Sequence, residues 1–186
     1  MPGVHNVRNA LAALAVGLAL DLDVAAMARS LAGFTGVHRR FERLGTFHGA
    51  TVIDDYAHHP TEVAATLAAA RQAFPRTRIF AVFQPHLYTR TRDLADDFGR
   101  VLSGADRVLV TEVYASREAP LPGITGEVVA RAARAAGHGA VAFCADRAAA
   151  AALLRQEVEP GDLVVTLGAG DIYRLAEQLV AEEVAA

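Results

Sequence analysis

The feature that most constrains this chain is a set of short, continuously apolar segments, Ile79–Phe83, Val108–Val110 and Leu163–Val165, the last within an expected strand Leu163–Leu167, separated by stretches with helical periodicity. A strand that is apolar at every position must be covered on both faces, as in a parallel sheet between two helical layers. The intervening stretches supply those layers. In Thr61–Phe74 the residues Val63, Leu67, Ala70 and Phe74 share one helical face, and in Arg92–Leu102 so do Leu94, Phe98, Val101 and Leu102. Further helices are expected at Thr125–Ala136, Arg147–Glu157 and Ile172–Glu182, and further strands at Arg107–Val113 and Ala140–Cys144. Phe41–Phe47 and Thr51–Ile53 read as a hairpin turning at Gly49. The alternation implies an α/β fold, a doubly wound Rossmann-like sheet, over residues 35–186.

Residues 1–34 differ: His5–Leu20 and Val24–Phe34 read as two helices, the first apolar almost all round and therefore expected to be heavily buried. Such a helix has no partner of its own at the start of a domain. The expectation is that the chain begins inside a larger protein, with Met1 the start of a partial sequence. Its apolar part is shorter than the ~20 residues a spanning helix needs, so no membrane association is expected. A formal net charge of −3 gives no bulk attraction to nucleic acid. Cys144 is the only cysteine and lies in an apolar segment, which excludes an intrachain disulfide and fits a buried thiol in the reducing cytoplasm.

Two polar clusters stand at strand ends, where ligands bind in this class of fold. Asp54-Asp55-Tyr56-Ala57-His58-His59-Pro60-Thr61-Glu62 leads from Thr51–Ile53 into a helix. Helix capping by the acids and Thr61, with Pro60 in the first turn, accounts for part of it but not for Tyr56 or the paired imidazoles. Gln84-Pro85-His86-Leu87-Tyr88-Thr89-Arg90-Thr91-Arg92 follows Ile79–Phe83, and Arg90 offers a fork for a carboxylate or phosphate. The competing account is a capping loop with Thr89 or Thr91 as the cap. Glu112–Gly123 is long for a connection in this fold, and so is a candidate substrate loop. Leu167-Gly168-Ala169-Gly170-Asp171 ends a strand and opens a helix, so its N–H groups are candidates to hold an anion. Asn6 and Asn9 share a face at the start of the first helix, next to His5. No G-x-x-x-x-G-K-[ST] phosphate loop occurs, nor any Cys or His pair at zinc spacing.

His5-Asn6-Val7-Arg8-Asn9-Ala10, Gly36-Val37-His38-Arg39-Arg40-Phe41-Glu42, Asp54 to Glu62, Phe83 to Thr91 and Leu167 to Ile172 resemble, in order and spacing, the motifs of the Mur ligases, the ATP-dependent amide-forming enzymes of peptidoglycan synthesis. The second cluster is most similar to the alanine-adding branch. The resemblance implies that residues 1–34 are closing helices of a central ATP-binding domain, and 35–186 the C-terminal amino-acid-binding domain. It implies ATP, UDP-N-acetylmuramate and L-alanine as substrates of the full enzyme, with the Mg2+ ligands and the phosphate loop in the central domain. Stand-alone catalysis is therefore not expected. Carried over residue by residue, Asn6 and Asn9 face the adenine, Arg40 lies against the nucleotide and Asp55 binds the ribose. Tyr56, His58 and Arg90 take the amino-acid side, His58 and Arg90 acting through positioning and charge stabilisation. His5, His59, His86, Gly168 and Gly170 are further candidates for the same walls. Two alternatives stay open: a ligase that recycles murein tripeptide, and a non-catalytic module that binds a nucleotide or a partner.

Overall fold

The computed structural model describes residues 2–185, so Met1, expected to open a partial sequence, lies outside them. Two helices come first, α1 (Val4–Ala19) and α2 (Val24–Ala32). Asp23 caps α2, its side chain accepting from the Ala26 N–H at 2.6 Å. The antiparallel hairpin β1 (Glu42–Phe47) and β2 (Ala50–Asp55) turns at His48-Gly49, both with positive φ, as two-residue hairpin loops require. There follow α3 (Pro60–Ala73), β3 (Ile79–Phe83), α4 (Tyr88–Val101), β4 (Arg107–Val110), α5 (Gly126–Ala135), β5 (Val141–Phe143), α6 (Arg147–Glu157), β6 (Leu163–Leu167) and α7 (Tyr173–Ala185).

The six strands are ordered β1-β2-β6-β3-β4-β5, and every pairing except β1 with β2 is parallel. After β2 the chain steps past one position to β3, runs outward to β5, then returns to place β6 in the gap. Helices α3, α4 and α5 cover one face, with Val63, Leu67, Phe98, Leu102, Val129 and Ala133 in that core. Helices α6 and α7 cover the other through Ala150, Leu154, Leu175 and Leu179. The doubly wound expectation holds, because strands buried on both faces are stable only between two such layers. Parallel pairing also puts the carboxyl ends of β2, β6, β3 and β4 along one edge.

The expected heavy burial of α1 is wrong. Val4, Val7, Leu11, Val16, Leu18 and Leu20 are exposed, and Gly17 alone is buried among its residues. Gly17 packs against Met27 of α2 so closely that a Cβ has no room, and Gly3 lies beside Ala69 of α3. An apolar sequence marks what a helix can bury, whereas burial itself needs a facing surface. Among the described residues α2 and α3 supply that surface on one side only. No described helix is long and apolar enough to cross a membrane.

Most boundaries move by a residue or two, and three of the shifts bear on the site. Asp54 and Asp55 lie inside β2 rather than beyond it, β4 stops at Val110, and α4 begins at Tyr88 rather than Arg92. The last shift has a non-local cause. The N-cap of α4 is Leu87, at φ 70 and with no capping side chain of its own. Glu118 caps the helix from the β4–α5 loop instead, accepting from the Thr89 N–H at 3.0 Å and the Thr89 hydroxyl at 2.5 Å. Neither Thr89 nor Thr91 is the cap; the Thr91 hydroxyl donates back to the Leu87 carbonyl at 2.8 Å.

Candidate functional site

The end of β2 carries two carboxylates with different surroundings. Asp54 is 1% exposed; one oxygen accepts from the Thr166 hydroxyl of β6 at 2.6 Å and the other from Arg39 Nε at 2.7 Å. The Arg39 fork continues across the sheet edge, donating to the carbonyls of Gly168 at 2.6 Å and Gly170 at 3.1 Å. Its guanidinium also stands over the rings of Tyr56 at 5.0 Å and Tyr173 at 4.6 Å. Arg39 thus ties the β2 end, the β6 loop and α7 together. It was not singled out from the sequence, because its partners lie up to 131 residues away.

The Gly168–Asp171 loop is held by these contacts, which alters its expected role. The Gly168 N–H donates to the Asp55 carbonyl at 3.2 Å, so it is not free to hold an anion. Gly168 and Gly170 lie against Gln84, and Gly170 also against Tyr114, too closely for a Cβ. The Gln84 amide donates to Asp171 and accepts from the Ile172 N–H, closing the seam between the β3 and β6 ends. Both glycines are therefore close-packing residues.

Asp55 accepts from the Phe41 N–H and the Ala57 N–H, each at 2.8 Å. Burial pushes its carboxyl above the ordinary value; the two N–H bonds and the Arg40 charge only partly offset this. Asp55 also opens onto a cleft of about 930 Å³ bounded by α1, α2, the Phe34–Phe41 segment and α3. His5, Asn6, Asn9 and Arg40 line the same cleft, together with Ala10, Ala13, Leu31, Phe34 and Phe41. Segments far apart in sequence thus bring together His5 and the four residues assigned to the nucleotide. The volume suits a small molecule, and a mainly apolar wall carrying two amides, the Arg40 guanidinium and the Asp55 and Glu62 carboxylates suits a heterocyclic base with hydroxyl groups attached. One amide is partly committed, since Asn6 Nδ2 donates to the Pro2 carbonyl at 2.7 Å.

Tyr56 joins this cleft to a second array. Its ring lies 5.6 Å from the Arg40 guanidinium on the cleft side, and 5.2 Å, edge on, from the His58 ring. His58 is 5.9 Å from His86, and His86 stacks on Tyr114 at 5.8 Å. Four rings from the ends of β2, β3 and β4 therefore form one wall. Arg90, in the first turn of α4, brings Nη1 to 3.5 Å from His86 Nδ1. Tyr114 was missed as an individual residue; the only signal for it was the long Glu112–Gly123 loop. Its backbone is fixed by the Pro85 carbonyl and the Leu87 N–H. Glu112 in that loop has a structural task, accepting from the N–H groups of Val113 and Gly126.

His59 does not join the wall. It is exposed and serves as the N-cap of α3, its Nδ1 accepting from the Thr61 N–H at 3.3 Å. The Glu62 carboxylate answers by accepting from the N–H groups of His58 at 2.9 Å and His59 at 3.2 Å. The capping expectation thus holds for Pro60 and Glu62 but not for Thr61, Asp54 or Asp55, since His59 is the cap, and Tyr56 and His58 are left to the wall. Among the described residues no group of three or more His, Cys, Asp or Glu side chains can hold a metal ion, so no Mg2+ ligand is assigned here.

Burial lowers the pKa of His86 from the ordinary 6.5, and the neighbouring charge of Arg90 pushes it the same way. The unfolded chain then binds the proton more readily than the folded one. Its contribution to stability is complete above the unfolded value and is lost as pH falls through the lowered folded value. His86→Gln is expected to flatten this part of the decline in melting temperature between about pH 7.5 and about pH 5.5. Identical pH dependence in the two proteins, followed by thermal melts, would refute the assignment.

The family model for "Mur ligase, glutamate ligase domain" matches residues 39–170. A UDP-N-acetylmuramate--L-alanine ligase of Salinibacter ruber is 50% identical over 180 residues, covering 97% of this chain and 38% of its own length. One from Bordetella avium with the same description is 52% identical over 187 residues, covering 96% and 40%. The crystal structure of a UDP-N-acetylmuramate-alanine ligase from Thermotoga maritima superposes with a TM-score of 0.83 at 32% identity, over 100% of this chain and 39% of that one. A murein peptide ligase of Psychrobacter arcticus gives 0.72 at 26% identity, over 97% and 37%. The chain thus spans about two fifths of the length of the curated relatives it matches.

Proposed function

The chain belongs to the Mur ligase family, and from that premise we propose that it is the C-terminal, amino-acid-binding part of an ATP-dependent UDP-N-acetylmuramate:L-alanine ligase. The observation that carries the proposal is the pairing of two adjoining surfaces. The cleft gathers Asn6, Asn9, Arg40 and Asp55, and the ring wall of Tyr56 and His58 adjoins Arg90, the two surfaces meeting at Tyr56. A ligase of this type must hold a nucleotide beside an amino acid, because ATP activates the muramoyl carboxylate as an acyl phosphate that the amine then attacks. In this reading Asn6 and Asn9 face the base, Arg40 and Asp55 the ribose and phosphates, and Tyr56, His58 and Arg90 the alanine. The side chains position the reactants and stabilise charge; none acts as a nucleophile. The alanine-adding branch is favoured over tripeptide recycling by the greater likeness to the Thermotoga maritima structure than to the Psychrobacter arcticus one.

The direct test is a chimera in which this chain replaces the matching stretch of the Salinibacter ruber relative. ADP formation that requires both UDP-N-acetylmuramate and L-alanine is expected. A folded chimera that is silent with alanine, or works better with a tripeptide, would reject the reading. The chain by itself, which holds no phosphate loop, is expected to release no phosphate from ATP under the same conditions; substrate-dependent release would contradict this.

Arg40 offers the cleaner probe of the nucleotide side. It is exposed in the cleft, whereas Asp55 also anchors two backbone N–H groups, so Asp55→Ala would disturb the fold as well. In the chimera, Arg40→Ala is expected to raise KM for ATP about 10- to 100-fold, the range of one lost charge-assisted hydrogen bond, with a smaller effect on alanine. Unchanged ATP dependence in steady-state kinetics would place the nucleotide elsewhere.

A further inference from the structure

His58 Nδ1 lies 2.9 Å from the Tyr56 carbonyl and 3.3 Å from Glu62 Oε2. Both neighbours are acceptors only, the first a carbonyl and the second a carboxylate. Glu62 is ionised near neutral pH: burial raises its pKa, but the backbone N–H groups of His58 and His59 and the Arg40 charge work against burial, and its carboxyl is held below the ordinary range. A neutral imidazole between two acceptors carries its proton on Nδ1, leaving the Nε2 lone pair open. Among the described residues Nε2 has no hydrogen-bond partner. The ring is faced by Glu62 of α3, by Tyr56 and by His86, with Arg40 behind Glu62 and Arg90 behind His86.

We propose that Glu62 is a positioning residue that locks His58 as the Nδ1–H tautomer, so that His58 Nε2 takes the proton from the incoming alanine ammonium. This rests on the ligase reading above. The ammonium gives one proton to Nε2 and becomes a free amine. The amine lone pair forms the C–N bond to the acyl phosphate, and the C–O bond to phosphorus breaks with its electron pair leaving on the phosphate. The second nitrogen proton departs with the phosphate as hydrogen phosphate. The imidazolium so formed faces the Glu62 carboxylate, which stabilises it as it appears. One carboxylate therefore caps α3 and orients the ring. Nothing in the sequence distinguished the second task from the first.

The tautomer is measured on the chain itself by long-range 1H–15N correlation at about pH 8, with His58→Gln identifying the signal. Protonated Nδ1 and bare Nε2 are expected; a bare Nδ1 overturns the proposal. In the chimera Glu62→Gln retains the capping oxygen, so the melting temperature should hold, while kcat for alanine ligation falls about 10- to 100-fold. Glu62→Ala should lower both stability and kcat. A native kcat in folded Glu62→Gln protein would show that Glu62 only caps, and overturns the proposal. A wild-type chimera without alanine-dependent ADP formation overturns the ligase reading and the proton transfer with it, while the tautomer is judged independently on the chain alone.

Discussion

Replacing Arg39 by alanine is expected to destabilise the chain by about 3–5 kcal/mol, the range for stripping one partner from a buried ion pair. The side chain of Arg39 is 11% exposed and that of Asp54 1%. Without the guanidinium, Asp54 keeps only the Thr166 hydroxyl among its side-chain partners, and the Gly168 and Gly170 carbonyls lose their donor. The chain also loses the cation held over Tyr56 and Tyr173. Lysine keeps the charge but cannot reach three acceptors from one planar fork, so Arg39→Lys should fall between alanine and wild type. In urea titrations the midpoint should drop with an unchanged slope, since the surface exposed on unfolding stays the same. A loss under about 1 kcal/mol would mean that the pair behaves like a surface salt bridge. The double variant Arg39→Met with Asp54→Leu should recover much of the loss, because the cost lies in the orphaned carboxylate rather than in the absence of a bond.

The second large effect concerns alanine use. In the chimera, Arg90→Lys is expected to lower kcat/KM for alanine about 10- to 100-fold, the size of a charge-assisted pair that no longer forms. The melting temperature should scarcely move. Arg90 is partly exposed, and its recorded side-chain contact is the long 3.5 Å approach to His86. This separation distinguishes the two arginines. Arg39 has each of its three guanidinium nitrogens bonded inside the protein, whereas Arg90 keeps most of its fork uncommitted toward the ring wall. Near-normal alanine kinetics in Arg90→Lys would make it a solvated residue in the first turn of α4. A collapsed melt would make its role structural.

Much of the candidate site was legible before any coordinates, because the Asp54–Glu62 and Gln84–Arg92 peptides hold more polar and aromatic side chains than helix starts need. Particular assignments still shifted. His59 proved to be a cap, and Gly168 and Gly170 proved to be places where backbone meets Gln84 and Tyr114. Tyr114, Arg39 and the second task of Glu62 were not visible, since each is defined by a partner rather than by its own spacing.

The amino-acid sequence alone determined the layered α/β architecture, because the period of apolar residues along a strand or helix is a local property that settles which faces must be covered. It also singled out the Asp54–Glu62 and Gln84–Arg92 loops as the candidates for a site. Only the tertiary structure decided that β6 lies between β2 and β3, which brings the Gly168–Gly170 carbonyls to Arg39 and closes the seam through Gln84. It likewise decided that Glu118 starts α4 from a loop 29 residues away, and that α1, apolar as it is, stays largely exposed. Strand order, caps supplied from a distance and actual burial depend on which surfaces meet, and no window of the sequence contains both surfaces.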